Sequence, residues 1–162
     1  MLTRRELLLG FTASAFAGTN HPVRKGKIEP LFKSPDGNPN GLESTEEGLW
    51  VAEQVSDVAY LLDWKTGKVL RKVETESSNT SGIAYGGGFL WMAANGPARN
   101  RPARPGDATS GEVVKIDATS GKTVARYPIP GGGGVHGLIW VANSLWITAL
   151  KLQKLIQVDV NF

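Results

Sequence analysis

The chain of 162 residues has no cysteine, two histidines and two methionines. The missing thiols exclude a cysteine nucleophile, a thiolate metal centre and a disulfide scaffold. No run of lysine and arginine exceeds two, and the formal net charge is only +3. A nucleic-acid-binding stripe is therefore not expected. Nor is there a membrane-length apolar run: Leu7 to Phe16 is ten residues, about 15 Å of helix and half a bilayer core. What is abundant is turn chemistry. Glycine and proline make up 29 of the 162 residues, about 18% against an average near 12%. With 41% hydrophobic residues, the remaining sequence still supports a packed core, and its length is that of one domain.

The first residues have the order of an export signal. Thr3-Arg4-Arg5-Glu6-Leu7-Leu8 is basic, an apolar run follows, and Ala15-Phe16-Ala17 supplies small residues for cleavage. Paired arginines followed by leucines resemble a twin-arginine signal. The expectation is a signal helix over 1–17, a linker over 18–25 and a periplasmic or secreted mature protein with no membrane span.

Beyond the signal the sequence repeats. Gly48-Leu49-Trp50-Val51-Ala52, Phe89-Leu90-Trp91-Met92-Ala93 and Ser144-Leu145-Trp146-Ile147-Thr148 are one phrase in three copies, with the tryptophans 41 and 55 residues apart. Gly41-Leu42, Gly82-Ile83 and Gly137-Leu138 keep the same two spacings. Leu62-Asp63-Trp64-Lys65-Thr66-Gly67-Lys68 is echoed by Ile116-Asp117-Ala118-Thr119-Ser120-Gly121-Lys122, and Val158-Asp159 begins a third copy. The period is about 41 residues, with 14 more inserted between Trp91 and Asp117. Each unit reads as four short strands a to d, with the Thr/Ser-Gly-Lys step as a c–d hairpin. Four-stranded units of this length predict all-β propeller blades.

The blades are expected at 41–74, at 82–128 with an insertion over 96–111, and at 137–160 as a partial third. Gly26 lies 15 residues before Gly41, as Gly67 lies 15 before Gly82. Residues 26–33 therefore read as an orphan strand d. Three blades fall short of the usual four to eight. The sequence is thus either a piece of a longer propeller or half of a homodimer that completes a six-bladed ring.

In a propeller the d–a and b–c connections share one face. Asn40, Ser81 and His136 lead into the a strands, Glu53 and Asn95 end b strands, and the insertion carries Arg99, Arg101 and Arg104. These residues are expected to converge at the channel mouth. Glu53 with His136 offers an acid–base pair or the ligands of a divalent ion such as Mg2+ or Ca2+. Asn40, Ser81, Asn95 and the three arginines offer ligand contacts, the guanidiniums toward an anion. The alternative reading makes these ordinary strand caps and a solvated loop.

Between Gly41 and Asp159 the phrases resemble exported propellers of the streptogramin B lyase and YVTN-repeat type. His136-Gly137-Leu138 with Leu145-Trp146-Ile147-Thr148, and Leu49-Trp50-Val51-Ala52-Glu53, carry the likeness. It implies metal-assisted opening of a cyclic ester or lactone, with His136 as acid or base and Glu53 as metal ligand. The sequence departs from that pattern at Asn95 and Ala149, where glutamate is expected, and at Val135, where proline is. A second resemblance, of Asp63-x-x-Thr66-Gly67 and Asp117-x-x-Ser120-Gly121, is to quinoprotein repeats. Their docking tryptophan would fall at Arg71 and Ala125, so pyrroloquinoline quinone is not expected. A non-catalytic propeller binding a small molecule or protein at the same mouth is the other class.

Overall fold

The computed structural model describes residues 25–160. The expected signal and nearly all of the linker lie outside the described residues. The chain divides into two units, Met1–Pro30 and Leu31–Phe162. In the first, residues 25–30 are exposed and without regular structure, Ile28 being 93% exposed.

The described residues of the second unit hold eleven strands in three antiparallel sheets. β1 (Pro39–Ser44), β2 (Leu49–Glu53), β3 (Val58–Leu62) and β4 (Val69–Glu74) form the first in sequence order. β5 (Thr80–Gly86), β6 (Phe89–Asn95), β7 (Gly111–Asp117) and β8 (Thr123–Pro128) form the second. β9 (Val135–Val141), β10 (Ser144–Ala149) and β11 (Lys154–Val158) form a three-stranded third, with a 3-10 turn at Leu150–Leu152 before β11. Among the described residues no helix is long and apolar enough to cross a membrane. Residues 26–33, expected as an orphan strand, form none. A strand d needs a c strand beside it, and the c strands β3 and β7 are already paired with β4 and β8.

The c–d hairpin explains its recurring motif. Asp63 Oδ1 accepts from Lys65 N, Thr66 N and Thr66 Oγ1 at 3.1, 2.8 and 2.7 Å. Asp117 Oδ1 repeats this with Thr119 N, Ser120 N and Ser120 Oγ at 3.1, 2.7 and 2.8 Å. These donors hold both carboxyls below the usual carboxylate range, Thr66 chiefly for Asp63 and Ser120 chiefly for Asp117. Gly67 and Gly121 then take φ of 67° and 75°, the left-handed region that favours glycine.

Adjacent sheets stack through strand b. Alternation sends Leu90 and Met92, with Ile83 of their own sheet, toward the first sheet, where they meet Trp50 and Leu61. It sends Trp91 and Ala93 toward the third, where they meet Val135, Leu145 and Ile147. Trp50 stacks on Tyr85 with centroids 6.3 Å apart and planes at 20°, and Trp91 on Trp140 at 5.3 Å and 18°. Tyr85 and Trp140 each lie three residues after the strand-a glycine, so the same position docks each time. The strand-a glycines mark where first strands nearly touch. A Cβ on Gly82 would stand 2.2 Å from the His136 carbonyl oxygen, and one on Gly41 3.0 Å from Ile83 N.

Two substitutions separate these contributions. Gly82→Ala forces the β5 and β9 backbones apart and is expected to cost about 1–3 kcal/mol. Trp91→Ala empties the second seam and is expected to cost about 3–5 kcal/mol. Urea unfolding followed by circular dichroism measures both.

Candidate functional site

The connections on one face of the stack enclose a cavity of about 290 Å3. Gln54 reaches it from the β2–β3 connection and Asn79 from the segment before β5. Ser81 lines it from β5 and Asn95 from the end of β6. Arg99 enters from the insertion after β6, Gly132 and Gly134 from the β8–β9 connection, His136 from β9 and Lys151 from the 3-10 turn. The wall is cationic and amide-rich, and it holds no carboxylate.

Asn95 builds the floor. Its Oδ1 accepts from Gly134 N at 3.1 Å and Val135 N at 3.0 Å, and its Nδ2 donates to Val135 O at 2.7 Å and to Ser81 Oγ. Ser81 Oγ in turn donates to Val135 O at 2.5 Å. Four consecutive glycines, 131–134, all have positive φ. They let the β8–β9 connection fold back against Gly111, where a Cβ would stand 2.0 Å from Gly133 Cα. Gln54 Nε2 donates to Asn79 Oδ1 at 3.1 Å, bridging the first two sheets at the rim. Lys151 Nζ donates to Gly132 O at 3.0 Å. Among the described residues, the side chains of Arg99 and His136 carry no hydrogen bond or ion pair.

The structure thus brings Ser81, Asn95, Arg99 and His136 together, and leaves four other expected site residues elsewhere. Glu53 is wholly buried. Its carboxylate accepts from Ser34 Oγ and, at 2.7 Å, from Asn38 N, both upstream of β1 on the face of the first sheet turned away from the second. Glu53 and His136 therefore share no cavity. The reason is strand alternation: Glu53 lies three residues after Trp50, and an odd step reverses the face. Asn40 Nδ2 donates to Thr80 O at 3.3 Å, a tie between the starts of β1 and β5.

Arg101 and Arg104 are occupied within the fold. Arg101 Nε donates to Asp57 Oδ2 at 2.8 Å, and its terminal nitrogens donate to Asp107 Oδ1 and Oδ2 at 2.7 and 2.9 Å. Arg104 Nη2 donates to Ser77 O at 3.2 Å. The local turn that makes this possible is Arg104-Pro105-Gly106-Asp107, closed by Asp107 N to Arg104 O at 3.1 Å with Gly106 at φ 90°. Asp57, buried in the β2–β3 turn, also accepts from Thr80 N at 3.0 Å and Thr80 Oγ1 at 2.9 Å. Burial pushes its carboxyl up, against the pull of Thr80 and Arg101. The Arg101 hydrogen bonds bring Asp107 down to about 2. Asp57 and Asp107 have no counterpart in the repeat and escape a reading by motif. Their one sequence signal is that the insertion carries its own acid six residues after Arg101.

A divalent cation does not fit this donor set. His136 is the one imidazole in the cavity wall, beside a guanidinium and an ammonium that repel a cation. Among the described residues no three His, Asp or Glu side chains cluster to hold a metal.

The Arg101 network predicts an acid step. Asp107 binds its proton less readily folded than unfolded, so its contribution is present above about pH 4 and lost as pH falls through about 2. Urea unfolding between pH 6 and pH 2 is expected to show a steeper loss for the native chain than for Asp107→Asn. Arg101→Met strands Asp57 as a buried, weakly compensated charge and is expected to cost about 3 kcal/mol at neutral pH.

No protein-family model and no curated protein matches this chain. Solved structures do. One is the Cps50 (Swd1) β-propeller domain of Myceliophteria thermophila, with a TM-score of 0.55 and 18% identity over 84% of this chain and 39% of that one. Another is virginiamycin B lyase from Staphylococcus aureus, with a TM-score of 0.52 and 18% identity over 81% of this chain and 44% of that one. The chain spans less than half the length of either. At this identity the likeness speaks for the fold alone: the three sheets are β-propeller blades.

Proposed function

We propose that the chain is a propeller-type binding module whose ligand is a small anion, or a small molecule carrying an anionic group, held where the blades meet. One observation carries the reading: Arg99, His136 and Lys151 line a single cavity of about 290 Å3 without an acidic side chain. Arginine offers a planar fork of donors suited to a carboxylate or phosphate, and lysine a point charge. The Gln54 and Asn79 amides and the Ser81 hydroxyl add neutral hydrogen-bonding groups around them. Asn95, by contrast, is spent on the backbone and keeps the wall in place.

Elimination on a cyclic ester is the weaker reading. It draws on the sequence resemblance and on a lyase among the structural neighbours, but it needs a carboxylate beside the imidazole. The Glu53 carboxylate is engaged outside the cavity, which favours binding over metal-assisted chemistry. The expected export of the chain would place such a binder in the periplasm or outside the cell.

Calorimetric titration with inorganic phosphate tests the proposal. The native chain is expected to bind it, with affinity falling as salt rises. Arg99→Gln is expected to weaken binding at least tenfold, and Asn40→Ala to leave it within twofold. Absence of phosphate binding contradicts the proposal, as would Mg2+ binding that depends on both Glu53 and His136.

A further inference from the structure

Three segments of the cavity wall are tied to one buried carboxylate. Asp57 lies three residues after Gln54 in the β2–β3 turn, which its own N–H closes on Glu53 O at 3.0 Å. Asp57 Oδ1 accepts from the backbone N–H and the hydroxyl of Thr80, the residue after Asn79, at 3.0 and 2.9 Å. Asp57 Oδ2 accepts from Arg101 Nε, two residues after Arg99, at 2.8 Å. Gln54, Asn79 and Arg99 all line the cavity. The Asp57 side chain is 1% exposed and that of Arg101 12%, so the pair is shielded from water. Asp57 has φ 56°, a conformation that glycine takes without steric cost. The position nevertheless carries an acid, and both of its oxygens are engaged in these ties.

Arg99 depends on this tie more than the two amides do, since Gln54 and Asn79 also hold each other. Ser78 anchors the insertion near both ends: its Oγ donates to Gly96 O at 2.9 Å and accepts from Ala108 N at 3.0 Å. Residues 97–100 make no hydrogen bond among the described residues, and Arg99 is exposed. The next fixed point after Gly96 is Arg101. Its terminal nitrogens grip Asp107 of the same insertion at 2.7 and 2.9 Å, while Nε reaches Asp57 of the first sheet. Where Arg99 stands is therefore set by Arg101. A guanidinium held in place before an anion arrives loses less freedom on capturing it than one on an unrestrained loop.

We propose that Arg101, clamped by Asp57, is a positioning residue for anion binding: it holds Arg99 in the cavity wall without touching the ligand. This role rests on the anion reading of the cavity and adds what controls its affinity. The control lies across a blade seam, in a contact between the turn of the first sheet and the insertion of the second. By linkage, an anion seated on Arg99 favours the closed clamp to the same degree that the clamp favours the anion.

Calorimetric titration of the full chain with inorganic phosphate tests this. Arg101→Met is expected to weaken binding at least fivefold. Arg101→Lys keeps a charge beside Asp57 but not the fork on Asp107. It is expected to weaken binding at least threefold, and it serves the same comparisons should Arg101→Met fail to fold. A double-mutant cycle separates positioning from a general loss of structure. With Arg99→Gln already present, Arg101→Met is expected to change the affinity less than twofold, because its effect passes through Arg99. Trypsin gives a second readout. Arg101 and Arg104 precede prolines, which block cleavage, so Arg99–Asn100 is the arginine bond that the insertion offers. Its cleavage is expected to be at least tenfold faster in Arg101→Met than in the native chain. Native affinity in folded Arg101→Met, an undiminished loss in the Arg99→Gln background, or unchanged cleavage would each overturn the positioning role. A native chain that binds no phosphate contradicts the anion reading instead, and the cleavage rate then still decides whether Arg101 holds Arg99 in place.

Discussion

The docking of one strand-b tryptophan onto an aromatic side chain of the following first strand is the contact on which the rest depends. It sets the spacing of neighbouring sheets at the seam, and the strand-a glycines let the first strands close to backbone contact. Trp50 on Tyr85 and Trp91 on Trp140 are two instances of one arrangement. Each sheet is too thin to bury its own faces, so the strands are stable only as a stack. This is why the middle sheet, with neighbours on both sides, has its β6 side chains buried on both faces.

The same stacking makes the cavity. No single blade contains it: Gln54 comes from the first, Asn95 and Arg99 from the second, His136 and Lys151 from the third. Connections that leave the same end of successive sheets are brought side by side, and their polar groups must then satisfy one another or face water. Asn95 does the former, tying down the glycine run before β9. Arg99 and His136 do the latter. The insertion is split between both tasks, since Arg101 and Arg104 fasten it to Asp57, Asp107 and Ser77 while Arg99 faces the cavity.

Most of the fold was legible because the repeat encodes it directly. The Leu-Trp phrase marks strand b, and the Asp-x-x-Thr/Ser-Gly-Lys phrase marks a turn whose hydrogen bonds are all local. Chain topology alone also placed Ser81, Asn95, Arg99 and His136 on one face. Pairing Glu53 with His136 failed on a rule equally visible in the sequence, the alternation of strand faces counted from Trp50. The Asp57–Arg101 contact was not legible, because it joins a non-repeated turn to a non-repeated loop 44 residues later. Lys151 was hidden for a similar reason, in a 3-10 turn that no other blade contains. Residues 26–33 carry the phase of a strand without its structure, since a strand exists only beside a partner.

The position of a bound anion is the most direct test of the cavity's role. A crystal structure of the chain grown with phosphate is predicted to show it between Arg99, His136 and Lys151, with the Glu53 carboxylate still on Ser34 and Asn38. Phosphate absent from that cavity, or Glu53 turned inward beside His136, would contradict the account.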